Sequence, residues 1–215
     1  MDIGIKDMGN CRYTKLFFAF IGFVLITGPS FAQKGFWYGS SIGVQNTYLT
    51  SLGRSEIDTK NAIRPLMTID IEYRVSPKVA IQSGIGYSLY TQNTSKFKNN
   101  FNYFTIPLYI KGGSFKNDRK YALSFFGGFN LNYLLSAQNI YQGERKDISD
   151  YTTDFLIYNV VGFGVKRKIN DNFVIETHLI GSMGGLLNNA STDGFLLMNM
   201  NYGLTVGLKY NFREK

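Results

Sequence analysis

Cysteine, histidine and long apolar runs are scarce in this chain of 215 residues. It contains one cysteine and one histidine, with four prolines and a single tryptophan. The cysteine, Cys11, precedes the one long apolar run, so a protein that loses this segment on export would have no disulfide bond. No Cys/His cluster and no acidic pair has the spacing of metal ligands. The sequence therefore predicts no metal site and no cofactor.

The apolar run itself has the pattern of an export signal. Arg12 and Lys15 precede the run, which covers residues 16–26, and the small-residue ending Ser30-Phe31-Ala32 follows it. A basic start, a short apolar centre and a small-x-small site are typical of a cleaved signal peptide. The alternative is a membrane-anchoring helix, but the run is shorter than the about 20 residues that such a helix needs.

Two segments follow from this pattern. We predict a signal peptide over residues 1–32 and one domain over residues 33–215, which is long enough for a single core. The first residues add acidic side chains that a leader does not need, so translation could start at Met1 or Met8.

The last segment, 198–212, alternates without a fault. One face carries Met198, Met200, Tyr202, Leu204, Val206, Leu208, Tyr210 and Phe212, and the other carries Asn199, Asn201, Gly203, Thr205, Gly207, Lys209 and Asn211. Successive side chains of a strand point to opposite faces, so one surface is apolar and the other polar or small. This length and pattern are typical of a transmembrane β-strand.

Seven more segments show strand-like alternation, and their connections define a topology. The eight segments cover residues 35–49, 62–75, 79–92, 101–112, 121–135, 154–167, 173–183 and 198–212. Longer connections at 50–61, 93–100, 136–153 and 184–195 alternate with shorter ones at 76–78, 113–120 and 169–172. Short periplasmic turns, longer outer loops and an even strand number are features of outer-membrane barrels. We predict an all-β, eight-stranded antiparallel up-and-down transmembrane β-barrel.

Aromatic residues and prolines add detail to this prediction. Two aromatic belts at the membrane interfaces are expected, because amphipathic rings suit the headgroup level. The outer belt would comprise Tyr48, Tyr90, Tyr103 and Tyr133, and the inner belt Phe36, Tyr73, Tyr121, Phe173, Tyr210 and Phe212. Pro65 and Pro107 cannot donate to a ladder, so each is expected to mark a bulge.

The interior face of the predicted barrel carries charges that would have to satisfy one another. Buried ions need partners, so we predict a polar network inside the barrel. Its members would be Arg64, Asp70, Glu72, Arg74, Lys111, Glu176, His178 and Lys209. The chain is basic overall, with a net charge of +8. Together with the export signal, this charge favours outer-membrane lipid over nucleic acid as the partner.

Four segments resemble a known family. The segment 103–111, Tyr-Phe-Thr-Ile-Pro-Leu-Tyr-Ile-Lys, resembles the aromatic-x-x-Ile-Pro-Leu-x-x-Lys signature of the PorT-like outer-membrane β-barrel family of Bacteroidetes. Residues 126–134, 162–165 and 203–212 resemble later strands of that family. The resemblance implies an outer-membrane barrel inserted by the barrel-assembly machinery. It carries no catalytic set, and its founding members resemble accessory factors of protein secretion.

Three classes of function are consistent with such a chain. The first is a non-enzymatic scaffold with a loop that binds a protein partner, since binding residues concentrate on loops held by rigid scaffolds. The candidate residues are Tyr141, Glu144, Arg145, Lys146, Asp147 and Tyr151. The second is a lipid-modifying hydrolase built on His178, Glu176 and a nearby serine such as Ser182. The third is a soluble, lipocalin-like ligand carrier, which would need apolar residues inside. We expect the first, without catalysis, in the bacterial outer membrane.

Overall fold

The computed structural model describes residues 35–52, 59–94, 98–115, 120–186 and 196–211. The predicted signal peptide lies outside the described residues. Ten strands are present: β1 (Phe36–Leu52), β2 (Thr59–Lys60), β3 (Ala62–Arg74), β4 (Val79–Thr94), β5 (Lys98–Gly113), β6 (Tyr121–Tyr141), β7 (Glu144–Asp147), β8 (Phe155–Lys168), β9 (Phe173–Leu186) and β10 (Leu196–Tyr210). A short 3-10 helix spans Ser149–Tyr151. No helix within these ranges has the length and apolarity to cross a membrane.

Eight of these strands form a closed antiparallel barrel. The order β1-β3-β4-β5-β6-β8-β9-β10 returns to β1, because β1 pairs with β10 from Tyr38 opposite Tyr210 to Leu52 opposite Leu196. Strands β2 and β7 are short additions to β4 and β6. Closure leaves the eight long strands without a free edge. The predicted fold is confirmed.

The two ends of the barrel differ. The end that holds the start of β1, the end of β10 and the short connections β3–β4, β5–β6 and β8–β9 is called the turn end. The opposite end is called the loop end. Part of the predicted loops proves to be strand: β4 runs to Thr94 and β6 to Tyr141. The alternation of apolar side chains ends with the apolar part of the barrel wall, but the backbone pairing of the strands continues beyond it. The strands predicted from alternation were therefore too short.

A two-residue turn joins β6 to β7 at the loop end. Gln142 and Gly143 have φ values of 49° and 87°, as a type I′ hairpin turn requires. The hairpin therefore extends the sheet above the barrel, where the sequence predicted an irregular loop.

The barrel wall presents apolar side chains to the outside. Phe125 is 67% exposed, Ile42 63% and Leu179 60%, and each belongs to a row of similar residues around the barrel. A water-soluble carrier would bury such side chains, since burial of apolar surface is the main favourable term in folding. In the described strands the outward face is apolar instead, and the buried charged and amide side chains lie inside, together with aromatic and some aliphatic ones.

Large side chains fill the interior near the loop end. Tyr90 and Tyr158 stack with ring centroids 5.0 Å apart and planes within 3° of parallel, and Tyr103 meets Tyr90 edge-on at 5.4 Å. Tyr90 and Tyr103 are each 1% exposed. Their prediction as outer-belt residues is therefore wrong. Both share strand parity with buried neighbours, Ser88 and Thr105, so the alternation itself assigns them to the interior.

The remaining belt residues fit the prediction where they are described. At the loop end Tyr133 is 53% exposed. At the turn end Phe36 contacts Tyr73 with centroids 4.7 Å apart, and Phe173 contacts Tyr210 at 4.6 Å. Phe212 lies outside the described residues.

The two prolines behave differently. Pro65 lies where the β3–β4 ladder is interrupted: residues 61–65 oppose residues 89–92, so five positions face four. This irregularity confirms the predicted bulge. Pro107 instead stays in register opposite Asn130, and the register of β5 shifts between Asn102 and Tyr103. The prediction of a bulge at Pro107 is wrong. The N–H donor that proline lacks instead leaves a gap in the ladder between β5 and β4, and the register is kept.

Candidate functional site in the barrel interior

Alternation in β3 places three charged residues inside the turn-end half of the barrel. Asp70 and Glu72 are buried and Arg74 is half-buried, while the intervening Ile71 and Tyr73 point outwards. Lys111 of β5, Glu176 of β9 and Lys209 of β10 reach the same level from other walls. The period-two pattern of each strand is what brings these distant positions together.

Five side chains form one ion-pair network, called the ionic cluster below: Glu72, Arg74, Lys111, Glu176 and Lys209. Lys111 Nζ lies 2.9 Å from Glu72 Oε2 and 2.8 Å from Glu176 Oε2. Lys209 Nζ also donates to Glu72 and lies 3.1 Å from Glu176 Oε2. Arg74 Nε donates to Glu72 Oε1 at 3.0 Å. Five of the eight residues predicted for the interior network thus pair with one another, and Glu72 is the most connected of them.

Burial makes this cluster important for stability. The side chains of Glu72 and Lys111 are 0% exposed, and those of Glu176 and Lys209 are 2% exposed. Charges withdrawn from water in this way persist only when ion pairs and hydrogen bonds compensate them. Gln82 adds such a bond, because its Oε1 accepts from Lys209 Nζ at 3.0 Å. The cluster thus connects four strands of the barrel wall, β3, β5, β9 and β10.

His178 lies at the edge of the cluster. Its Nε2 is 3.3 Å from Glu176 Oε2. The neighbouring Gly164 separates it from Ser124, and a Cβ built on this glycine would lie 3.0 Å from His178 Nε2 and 2.9 Å from Ser124 Oγ. His178 Nε2 and Ser124 Oγ are both buried without a hydrogen-bond partner among the described residues. They therefore do not form the histidine–serine hydrogen bond of a catalytic triad.

The serine that the sequence suggested does not reach His178. Ser182 is four residues further along β9, about 13 Å away at the rise of a strand, and its Oγ accepts from Asn201 Nδ2 at 3.1 Å. The structure therefore does not assemble the His178–Glu176–Ser182 set. Within the described residues there is also no group of three or more His, Cys, Asp and Glu side chains that could hold a metal ion.

We expect Gly164→Ala to displace the imidazole of His178, because the added Cβ would lie 2.3 Å from His178 Cδ2. Crowding of this kind should lower the free energy of unfolding by about 1–3 kcal/mol. His178 is the one histidine of the chain, so its NMR signals report the displacement directly. The matched control is Gly181→Ala, whose Cβ would have no neighbour closer than 3.8 Å. Equal effects of the two substitutions would contradict the expectation.

Besides His178, two predicted members lie outside the ionic cluster. Arg64 is near the loop end, where its Nε donates to Thr91 Oγ1 at 2.6 Å and its NH2 group to Asn100 Oδ1 at 3.2 Å. It bridges the interrupted β3–β4 ladder and bonds neutral polar side chains of the interior. It forms no ion pair with another described residue. Asp70 is buried in the interior, but its Oδ1 has no hydrogen-bond partner among the described residues.

An aromatic cover at the turn end was not predicted. Phe115, from the connection between β5 and β6, is 5% exposed. The Arg74 guanidinium lies 3.8 Å from the Trp37 ring centroid and 5.4 Å from that of Phe115, and Lys166 Nζ lies 5.7 Å from the Phe115 centroid. Cations stacked on aromatic faces are attracted to them electrostatically. The one sequence signal was a single aromatic residue within an otherwise polar turn.

The predicted partner-binding residues lie on the β6–β7 hairpin and the helix that follows. Tyr141, Glu144, Arg145, Lys146 and Asp147 are all exposed. The Asp147 carboxylate accepts from the backbone N–H of Ser149 at 2.8 Å and from its hydroxyl at 2.7 Å, and these bonds hold the pKa of Asp147 below its usual value. Tyr151 ends the 3-10 helix, and its side chain is outside the described part. The hairpin is thus held in place from its base.

Comparison with solved structures identifies the same architecture elsewhere. Neisserial surface protein A matches 83% of this chain and 98% of its own, with a TM-score of 0.57 and 14% identity. Ail of Yersinia pestis matches 83% and 100%, with a TM-score of 0.46 and 12% identity, and outer membrane protein OprG of Pseudomonas aeruginosa matches 84% and 97%, with a TM-score of 0.44 and 10% identity. No protein-family profile and no curated protein matches the sequence. The similarity to Neisserial surface protein A therefore supports the fold, an eight-stranded β-barrel of the outer-membrane type.

Proposed function

We propose that this protein is an integral outer-membrane barrel that acts without catalysis, as a membrane-anchored scaffold that presents its loop end to a protein partner. The observation that carries the proposal is the inverted distribution of polarity. The wall exposes rows of apolar side chains, while an ion-pair network is buried inside. This arrangement suits a lipid bilayer, in which apolar side chains face the hydrocarbon chains and all backbone polar groups must pair within the protein.

The proposal assigns a role to each end. The turn end would face the periplasm, because short turns lie on that side in outer-membrane barrels. The exposed β6–β7 hairpin, with Tyr141 and the charged residues 144–147, would then face outwards and form the contact with a partner. Rigid attachment favours such a role, since an ordered hairpin loses less conformational entropy on binding than a flexible loop.

The family relationship and the biological role are proposed from the sequence. The resemblance of residues 103–111 and 203–212 to PorT-like proteins supports a relationship to that family and a role in protein secretion or envelope integrity. Insertion would then depend on the barrel-assembly machinery after cleavage of residues 1–32. The inward position of Thr105, Pro107, Tyr109 and Lys111 in β5 is compatible with this motif being structural.

Heat-modifiability in isolated outer membranes tests the proposal. The folded barrel is expected to migrate anomalously in electrophoresis until it is boiled. Trypsin added to intact cells should cleave at Arg145 and Lys146, whereas Lys120 and Arg167 should become accessible only after the envelope is permeabilised. Recovery of a water-soluble periplasmic protein without a heat shift would refute the membrane assignment. Cleavage of the opposite set in intact cells would refute the orientation.

A further inference from the structure

Exposed charge is distributed unequally between the two ends of the barrel. At the turn end the described surface carries the cations Lys78, Lys120, Arg167 and Lys168 and one carboxylate, Asp171. At the loop end the described cations and carboxylates are balanced, with Lys60, Lys98, Arg145 and Lys146 against Glu144, Asp147, Asp150 and Asp154. Among the described residues, the excess of positive charge thus belongs to the turn end.

Three of these cations converge at the junction of β6 and β8, and with Tyr121 they form what is called the turn-end patch. The Lys168 N–H donates to the Lys120 carbonyl at 2.8 Å, and Arg167 lies directly opposite Tyr121 in the β6–β8 ladder. Lys120 Nζ lies 6.0 Å from the Tyr121 ring centroid. Lys168 pairs with Asp171 at 2.6 Å, whereas Lys120 and Arg167 have no carboxylate within ion-pair distance among the described residues.

The patch borders the apolar wall. Tyr121 is 57% exposed, and the next outward row holds Leu123 at 60% and Val165 at 41% exposure. Cations and a tyrosine directly beside a lipid-facing surface lie at the level of lipid headgroups. Lysine and arginine there can extend to phosphate oxygens while their methylene stems stay on the apolar surface.

We propose that the turn-end patch binds the phosphate of an anionic phospholipid in the adjacent leaflet. Neighbouring like charges repel one another, and a phosphate between Lys120 and Arg167 would relieve this repulsion and accept hydrogen bonds from both side chains. The acyl chains of the same molecule would lie on Leu123 and Val165, which selects a lipid over free phosphate. The inference rests on the proposed membrane location and adds a ligand class to it.

The test compares lipid selectivity in reconstituted full-length barrels. Wild type, K120Q/R167Q and R145Q/K146Q are placed in phosphatidylcholine bilayers with a minor fraction of phosphatidylglycerol. The preference for spin-labelled phosphatidylglycerol over spin-labelled phosphatidylcholine is measured by electron paramagnetic resonance. Each cation near a membrane surface contributes about 1 kcal/mol, so the loss of two in K120Q/R167Q should lower the preference by up to about thirtyfold. R145Q/K146Q removes the same charge from the hairpin and should leave the preference unchanged.

The outcomes test the lipid site independently of the barrel fold. A preference lost in K120Q/R167Q alone would support the patch. Equal selectivity in all three proteins, or equal loss in both variants, would overturn it. Heat-modifiability of every reconstituted sample shows that the barrel is folded and inserted, so a failure of the lipid site is distinguishable from a failure of the membrane assignment.

Discussion

Replacing Glu72 with alanine is expected to lower the free energy of unfolding by about 3–5 kcal/mol, because the change leaves buried cations without their partner. Glu72 contacts Arg74, Lys111 and Lys209, and its side chain is 0% exposed. Glu176 can compensate part of the charge on the two lysines but does not pair with Arg74. The measurement is reversible denaturant unfolding of the barrel in lipid vesicles, followed by tryptophan fluorescence.

An exposed ion pair provides the control for this prediction. Asp171 is 76% exposed and pairs with Lys168 at 2.6 Å at the turn end. Because water screens such a pair, Asp171→Ala should cost less than about 1 kcal/mol. A Glu72→Ala barrel as stable as the Asp171→Ala barrel would show that water reaches the ionic cluster, and the buried ion pairs would not have the predicted importance for stability.

Strand alternation was sufficient to predict the fold and most of the ionic cluster. In β3 it separates Asp70, Glu72 and Arg74 from Ile69 and Ile71 without error. It also identifies Tyr90 and Tyr103 as interior residues, and the prediction failed where a preference for aromatic belts overrode this periodicity. Parity is a geometric constraint on every strand residue, whereas belt placement is only a statistical tendency of aromatic residues.

Other features depended on information that alternation does not contain. Arg64 has interior parity, yet it bonds Thr91 and Asn100 because the β3–β4 ladder opens beside Pro65. Phe115 follows the end of β5, where no strand periodicity applies, so its contact with Arg74 could not be predicted from alternation. Alternation tells whether a side chain points into the barrel or out of it, but not its position along the barrel axis. The ion-pair partners could therefore be predicted only with knowledge of the strand register.

The second large effect concerns the outer surface. Leu179 lies in the middle of β9 and is 60% exposed, in a row with Phe163 and Leu204 on the neighbouring strands. If lipid surrounds the wall, Leu179→Arg should lower the free energy of unfolding in a bilayer by about 2–4 kcal/mol, the range for a cation at the bilayer midplane. Denaturant unfolding in vesicles measures this loss.

The same substitution distinguishes lipid from water by the size of its effect. In a water-soluble barrel, an arginine in place of an exposed leucine would change stability by no more than about 0.5 kcal/mol and would improve solubility. Tyr141→Arg is the matched control, because Tyr141 is 52% exposed on the hairpin beyond the apolar band and should tolerate the charge in either case. A large loss of stability in Leu179→Arg with little change in Tyr141→Arg would show that hydrocarbon surrounds the barrel wall but not the hairpin. Tolerance at both positions would mean that the apolar surface faces water or another protein, and the membrane assignment would then fail even though the barrel fold stands.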